Sequence, residues 1–201
     1  MTDQGTSTPS GSKPGTRERL MTAMIKVVGS EGLHAASVRT IARAAGCNEA
    51  VLYQHFPSKL AMQQAIFEEI LLEMASEKRD IAGKADSPGT FIDEWVRTTY
   101  RFYDAKPYAF AYVYLSYPPV EPTDPSLIGL NSRIFMEGLD AFRESTGLPI
   151  DVSPATFSTF RAGLLGPPRD IHAGLLKGDA IEYAEDVAKA GRAILLPAGT
   201  P

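Results

Sequence analysis

Ser37-Val-Arg-Thr-Ile-Ala-Arg-Ala-Ala-Gly-Cys-Asn-Glu-Ala-Val-Leu-Tyr-Gln-His-Phe-Pro-Ser-Lys59 is the stretch that decides the fold of this chain. Val38, Ile41, Ala42 and Ala45 recur at helical spacing and share one side of a helix, while Arg39, Thr40 and Arg43 fall elsewhere on its surface. Ser37 stands where an N-cap oxygen satisfies an orphan amide. Gly46 sits where the helix must stop and the chain reverse, a place that favours positive φ. Cys47 follows at an apolar position, and Asn48 caps a second helix that begins at Glu49 and points Leu52 and Phe56 back at the first. Two short amphipathic helices around a glycine-centred turn make a helix-turn-helix, which sets its second helix in a DNA groove. The face left free carries Glu49, Ala50, Val51, Tyr53 and Gln54, short or flat side chains compatible with close approach to base edges and phosphates.

Upstream, Thr16 to Glu31 reads as a longer helix with Leu20, Met24, Val27 and Val28 on one stripe and Gly32 as its stop. The three helices make a small homeodomain-like module over residues 16–62. Pro57-Ser58-Lys59 then starts a fourth helix, along which Ile66, Phe67, Ile70, Leu71 and Met74 keep helical spacing.

Ile41-Ala42, Gly46, Leu52-Tyr53 and His55-Phe56-Pro57-Ser58-Lys59 together resemble the DNA-binding domain of TetR-family transcriptional repressors. The resemblance implies a dimer on double-stranded DNA, a recognition helix in the major groove and a larger helical domain that senses a small molecule. It marks Tyr53 and Lys59 as phosphate contacts, His55 as a residue near the DNA backbone, and Arg39 and Thr40 as contacts at the start of the second helix. Each has a plainer reading: a packed surface tyrosine, a solvated lysine, a structural histidine. Glu49 and Val51 depart from the commonest family pattern. Glu49 either accepts from a cytosine amino group or complements the helix dipole, and Val51 either touches a thymine methyl or fills space.

Charge divides the chain in the same place. Lys13 to Lys59 holds seven Lys and Arg against three Asp and Glu, whereas Leu60 to Pro201 holds thirteen against twenty. The basic end is the one suited to a polyanion. Residues 1–15, rich in Thr, Ser, Gly and Pro, read as a flexible tail without the apolar core of a signal peptide, and no membrane span is evident, so a cytoplasmic location is expected. One cysteine forms no internal disulfide, and three histidines far apart suggest neither metal nor cofactor. No nucleophile motif or phosphate loop points to an enzyme.

Residues 63–201 read as all-helical. Ser87-Pro88, Asp124-Pro125 and Ser153-Pro154 place a capping side chain before a proline at the first helical position, and Asp179 with Glu182 forms a capping box. Helices are predicted over Thr90 to Ala105, Leu127 to Glu144, Ala155 to Leu165 and Ala180 to Leu196, with an aromatic segment from Tyr108 to Tyr117 and a break at Pro167-Pro168. Trp95, Thr99, Phe102, Tyr103, Tyr112, Phe135, Met136 and Phe157 are candidates for an apolar effector pocket with a few polar tips, although aromatic stripes at this spacing also make plain core. By the resemblance, the last two helices form a four-helix bundle with a second copy, through Ala155, Thr159, Ala162, Val187, Ala190 and Ile194. The expected function is ligand-responsive regulation of transcription by a homodimer. An architectural DNA binder without a pocket is the alternative.

Overall fold

The structure, a computed structural model, describes residues 15–116 and 121–199. Apart from Gly15, the tail expected over residues 1–15 lies outside them, as do Tyr117 and Pro118-Pro119. Every regular element among the described residues is helical, in keeping with the all-α expectation.

Helices α1 (Thr16–Glu31), α2 (Val38–Ala44) and α3 (Glu49–His55) form the N-terminal module. The Ser37 hydroxyl accepts from the Thr40 amide at 3.0 Å, and the Asn48 side-chain oxygen accepts from the Val51 amide at 3.1 Å, so both short helices begin where their capping residues direct. Between them Gly46 takes φ +69°, the left-handed turn that an L side chain resists. Leu20, Met24, Ile41 and Leu52 are fully buried at the centre.

Helix α4 (Lys59–Ala82), capped by Ser58, runs continuously across the expected domain boundary at residues 62 and 63. Its Met62 and Ile66 are buried in the same contiguous apolar core as the first three helices, and Met74 and Ala75 are buried further along. Helix α5 (Pro88–Ala105) starts at the Ser87-Pro88 cap. The aromatic segment is a four-residue helix, α6 (Pro107–Phe110), that widens into a π-type turn over Ala111–Leu115.

Asp124-Pro125 opens only a single 3-10 turn, Pro125–Leu127, rather than the long helix predicted from it. The Asp124 carboxylate is spent locally on the Ser126 amide and hydroxyl, both at 2.8 Å. The long helix α7 (Leu130–Thr146) starts after Gly129. The break predicted at Pro167-Pro168 is absent: α8 (Pro154–His172) passes through both prolines. Interior proline costs roughly 3 kcal/mol, and continuing the helix keeps Pro168 buried and Ile171 packed on the core.

The last predicted helix is divided into a 3-10 turn, Ala180–Tyr183, and α9 (Ala184–Leu195). The Asp179–Glu182 capping box is present, and the Asp104 carboxylate of α5 accepts from the Ala180 and Ile181 amides at 2.7 and 3.0 Å. That contact holds the first turn against α5 while α9 packs on α5 and α8. The interior of this domain is aromatic. Phe135 lies with ring centroids 5.3 Å from Phe91, 4.9 Å from Trp95, 5.0 Å from Phe160 and 5.7 Å from Phe157.

Candidate functional site

The first candidate surface is the outer side of α2 and α3. Leu52 and Phe56 anchor α3 inward at 0% and 4% exposure, which turns the opposite side to solvent. Arg39, Glu49, Ala50, Tyr53, Gln54 and His55 are exposed, and Thr40, Val51 and Lys59 are half-buried. Tyr53 is 54% exposed, an unusual state for a large ring and one that leaves its hydroxyl free to reach outward. Thr40 shares a hydrogen bond with Ser37 at 2.8 Å, so its hydroxyl is partly engaged at the helix start. Lys59 occupies the first turn of α4, at the positive end of a 24-residue helix. Beside it Leu60 is 58% exposed, a residue not singled out from sequence. The signal was present, because the Met62–Ile66 stripe places Leu60 off the buried side.

A second candidate site lies inside the larger domain. A partly open cavity of about 60 Å³ is lined by α4, α5, α6, α7, α8 and the π-type turn. Trp95, Thr99 and Phe157 lie on its wall; Phe102, Tyr103, Tyr112, Phe135 and Met136 do not. Phe135 is the hub of the aromatic core, Tyr103 packs edge-on against Phe110, and the Tyr112 hydroxyl donates to the Gln63 carbonyl at 3.2 Å. Met136 packs against the core while only partly buried. All of these residues are on the expected helices, but they turn a different flank to their neighbours.

Tyr114 and Phe110 of the aromatic segment also lie on the wall, and two polar wall residues, Lys78 and Asn131, escape a reading by apolar stripes. Lys78 is 3% exposed, and its ammonium lies 4.2 Å from the centroid of the Trp95 ring. It takes part in none of the ion pairs found among the described residues. Burial pushes its pKa down to about 7, with Glu77 acting in the opposite direction. Asn131 donates to the Tyr114 hydroxyl at 2.5 Å, and burial holds that phenol above its ordinary range. The Asn131 side-chain oxygen is buried without a hydrogen-bond partner among the described residues.

The depressed lysine has a consequence for stability. Above about pH 7 the unfolded chain holds a proton on Lys78 that the folded chain has shed, so stability rises with pH toward the unfolded value of 10.5. From about pH 7 to pH 9 this one group contributes a rise of about 2 kcal/mol. Urea unfolding of the wild type and Lys78→Met at the two pH values measures it. An identical pH response in both proteins would show that the lysine is solvated in the native state.

The outward side of α8 and α9 is a third feature. Ala155, Thr159, Ala162, Ala190 and Ile194 are exposed and Val187 is half-buried, while Phe160, Leu164, Ala188 and Leu195 point inward. The result is a surface of small residues with two branched apolar side chains, Ile194, 41% exposed, and the half-buried Val187.

Residues 20–66 match the family model described as "Bacterial regulatory proteins, tetR family". The HTH-type transcriptional repressor KstR2 of Rhodococcus jostii (strain RHA1) is 32% identical over 99 residues, 49% of this chain and 48% of that protein. The chain thus matches about half the length of this curated relative. A TetR family transcription regulator from Marinobacter aquaeolei VT8 shares the fold with a TM-score of 0.69 at 20% identity, covering 90% of this chain and 95% of that one. FadR from Bacillus subtilis, solved in complex with stearoyl-CoA, aligns with a TM-score of 0.61 at 14% identity over 85% of this chain and 95% of its own. At these identities the structural likeness establishes the all-helical fold with its N-terminal helix-turn-helix.

Proposed function

We propose that this chain is a transcriptional repressor that binds a pseudo-palindromic operator as a homodimer and is released by a small, mostly apolar effector; the match of residues 20–66 to the family model of bacterial regulatory proteins of the tetR family supports this reading. One observation carries this proposal: α4 is a single unbroken helix that begins with Lys59 at the basic face and reaches the cavity wall with Met74 and Lys78. At 1.5 Å per residue, the nineteen steps from Lys59 to Lys78 span about 28 Å. A ligand that displaces the cavity end of such a rod also displaces the DNA end.

The DNA arm of the mechanism assigns Tyr53 and Lys59 to phosphates, with Arg39, Thr40 and His55 beside them. Glu49, Ala50, Val51 and Gln54 face the base edges. The dimer arm uses the outward side of α8 and α9 to hold two recognition helices about 34–36 Å apart, one turn of duplex. An effector that favours a different spacing lowers operator affinity, and a coupling of about 1–3 kcal/mol gives a five- to 150-fold change. The FadR complex with stearoyl-CoA supports an effector with a long hydrocarbon part. The cavity beside Trp95 favours a sensor over a purely architectural DNA binder.

Selection of duplexes from a random pool by the purified chain tests the DNA arm, with enrichment of an inverted repeat as the expected outcome. An unenriched pool would overturn it. On the selected duplex, Tyr53→Ala and Lys59→Ala are expected to weaken binding to all sequences alike, and the lysine variant to lower the salt slope by about one unit. Salt titrations that superimpose on the wild type would remove both residues from the interface.

A further inference from the structure

Resting on the sensor proposal above, we infer that the cavity beside Lys78 receives the carboxylate head of an amphiphilic monoacid, with Lys78 as its counter-charge. A charged lysine 97% withdrawn from solvent, on a cavity wall and outside every ion pair among the described residues, is an expensive arrangement that is relieved either by loss of its proton or by an anion that completes it. The Trp95 face offsets part of the cost on one side of the ammonium. An ammonium has three N–H donors, and no hydrogen bond from Lys78 occurs among the described residues.

The neighbouring polar groups fit the same head group. Tyr114 accepts from Asn131, which leaves its own hydroxyl hydrogen available for a ligand oxygen. The unpartnered Asn131 oxygen is an acceptor that a carboxylate cannot satisfy, and it accepts instead from a water bridging to the head group. A single lysine balances a single negative charge, which favours a monocarboxylate over a phosphate dianion.

Size sets the orientation. The inner cavity, about 60 Å³, accommodates a carboxyl group and little more. An outer groove of about 780 Å³ shares Tyr114, Asn131, Ser132, Arg161 and Leu165 with it and adds the apolar wall of Phe67 and Leu71, where a hydrocarbon chain lies. Arg161 is the rival cation, but it is exposed and its charge is already screened by water, whereas that of Lys78 is not. A thioester has no free carboxylate, so this head group separates the chain from a sensor of acyl thioesters.

The probes are decanoate and its uncharged methyl ester, titrated calorimetrically into the full chain and into Lys78→Met and Lys78→Gln, with thermal melts to confirm folding. Decanoate is expected to bind the wild type about tenfold or more tighter than the ester, a difference of at least about 1.4 kcal/mol. The ratio is expected to fall to near unity in either lysine variant; the glutamine variant keeps a polar tip should the methionine variant not fold. Equal affinity of acid and ester for the wild type, or no binding of the acid, overturns the inference. So does a ratio that survives removal of Lys78, since Arg161 is then the partner. Duplex binding by the same wild-type preparation is measured alongside. Its failure defeats the repressor proposal and leaves the acid-to-ester ratio standing, and the converse result defeats only the carboxylate.

Discussion

A chain carrying Val187→Glu together with Ile194→Glu is expected to elute as a monomer and to bind its selected operator on the order of 100-fold more weakly, because a linked pair of half-site contacts becomes a single one. Ile194 is 41% exposed, so its substitution leaves the fold of one chain intact, whereas Val187 packs partly against the core and the Ile194→Glu single variant separates loss of the dimer from loss of packing. In a dimer formed through α8 and α9, by contrast, each carboxylate is removed from water without a partner, and the two copies repeat the penalty. Sedimentation and circular dichroism together give the measurement: unchanged helicity with halved mass. A double variant of unaltered mass would mean that the subunits meet elsewhere, and the spacing argument for the two recognition helices would go with it.

Replacing Phe135 by alanine is expected to be the most destabilising single change considered for the larger domain, at about 3–5 kcal/mol. Phe135 is fully buried and contacts four other rings, one of them Trp95 on the cavity wall. The loss therefore has two parts, the transfer of a benzyl group and the void left among rings that cannot all collapse into it. Chemical denaturation reads the sum. A Phe135→Leu variant is expected to lose less because it refills part of the volume. A loss below about 1 kcal/mol for the alanine variant would indicate that these rings repack freely, and Phe135 would no longer count as the hub of the core.

What could be read from the sequence was local. Ser37, Asn48, Ser58, Ser87 and Ser153 each act within one helical turn, and all five cap the helix that follows them. The N-terminal module was legible for the same reason: its turn residue, caps and apolar spacing lie within a few positions of one another. The polar part of the cavity was not. Lys78 follows Glu77 and precedes Arg79, so it reads as part of a solvated stripe, and only the arrival of Trp95 on another helix buries it. Asn131 and Tyr114 meet across 17 positions and an irregular turn that no periodicity announces. The helices that carry the effector candidates were legible as helices, but which side of an aromatic helix meets a void depends on how several helices cross. Pro167 and Pro168 teach the complementary lesson, since a strong local stop signal lost to the packing of Pro168 and Ile171.

Near the end of α1, a Cβ added at Gly29 would meet Tyr108 of α6 at 2.8 Å, and the Gly29 carbonyl accepts from the His172 ring at 2.7 Å. The N-terminal helices are thus clasped to α6 and α8 as well as continued by α4. For anyone grafting this reading head onto a foreign sensor, a crossover inside α4 severs the rod but also strips Gly29 of both its companions. A workable hybrid must import a ring that nests on a bare backbone and a donor at the end of the penultimate helix, so exchange of the N-terminal module of this chain is governed by this clasp as much as by the helix that joins the halves.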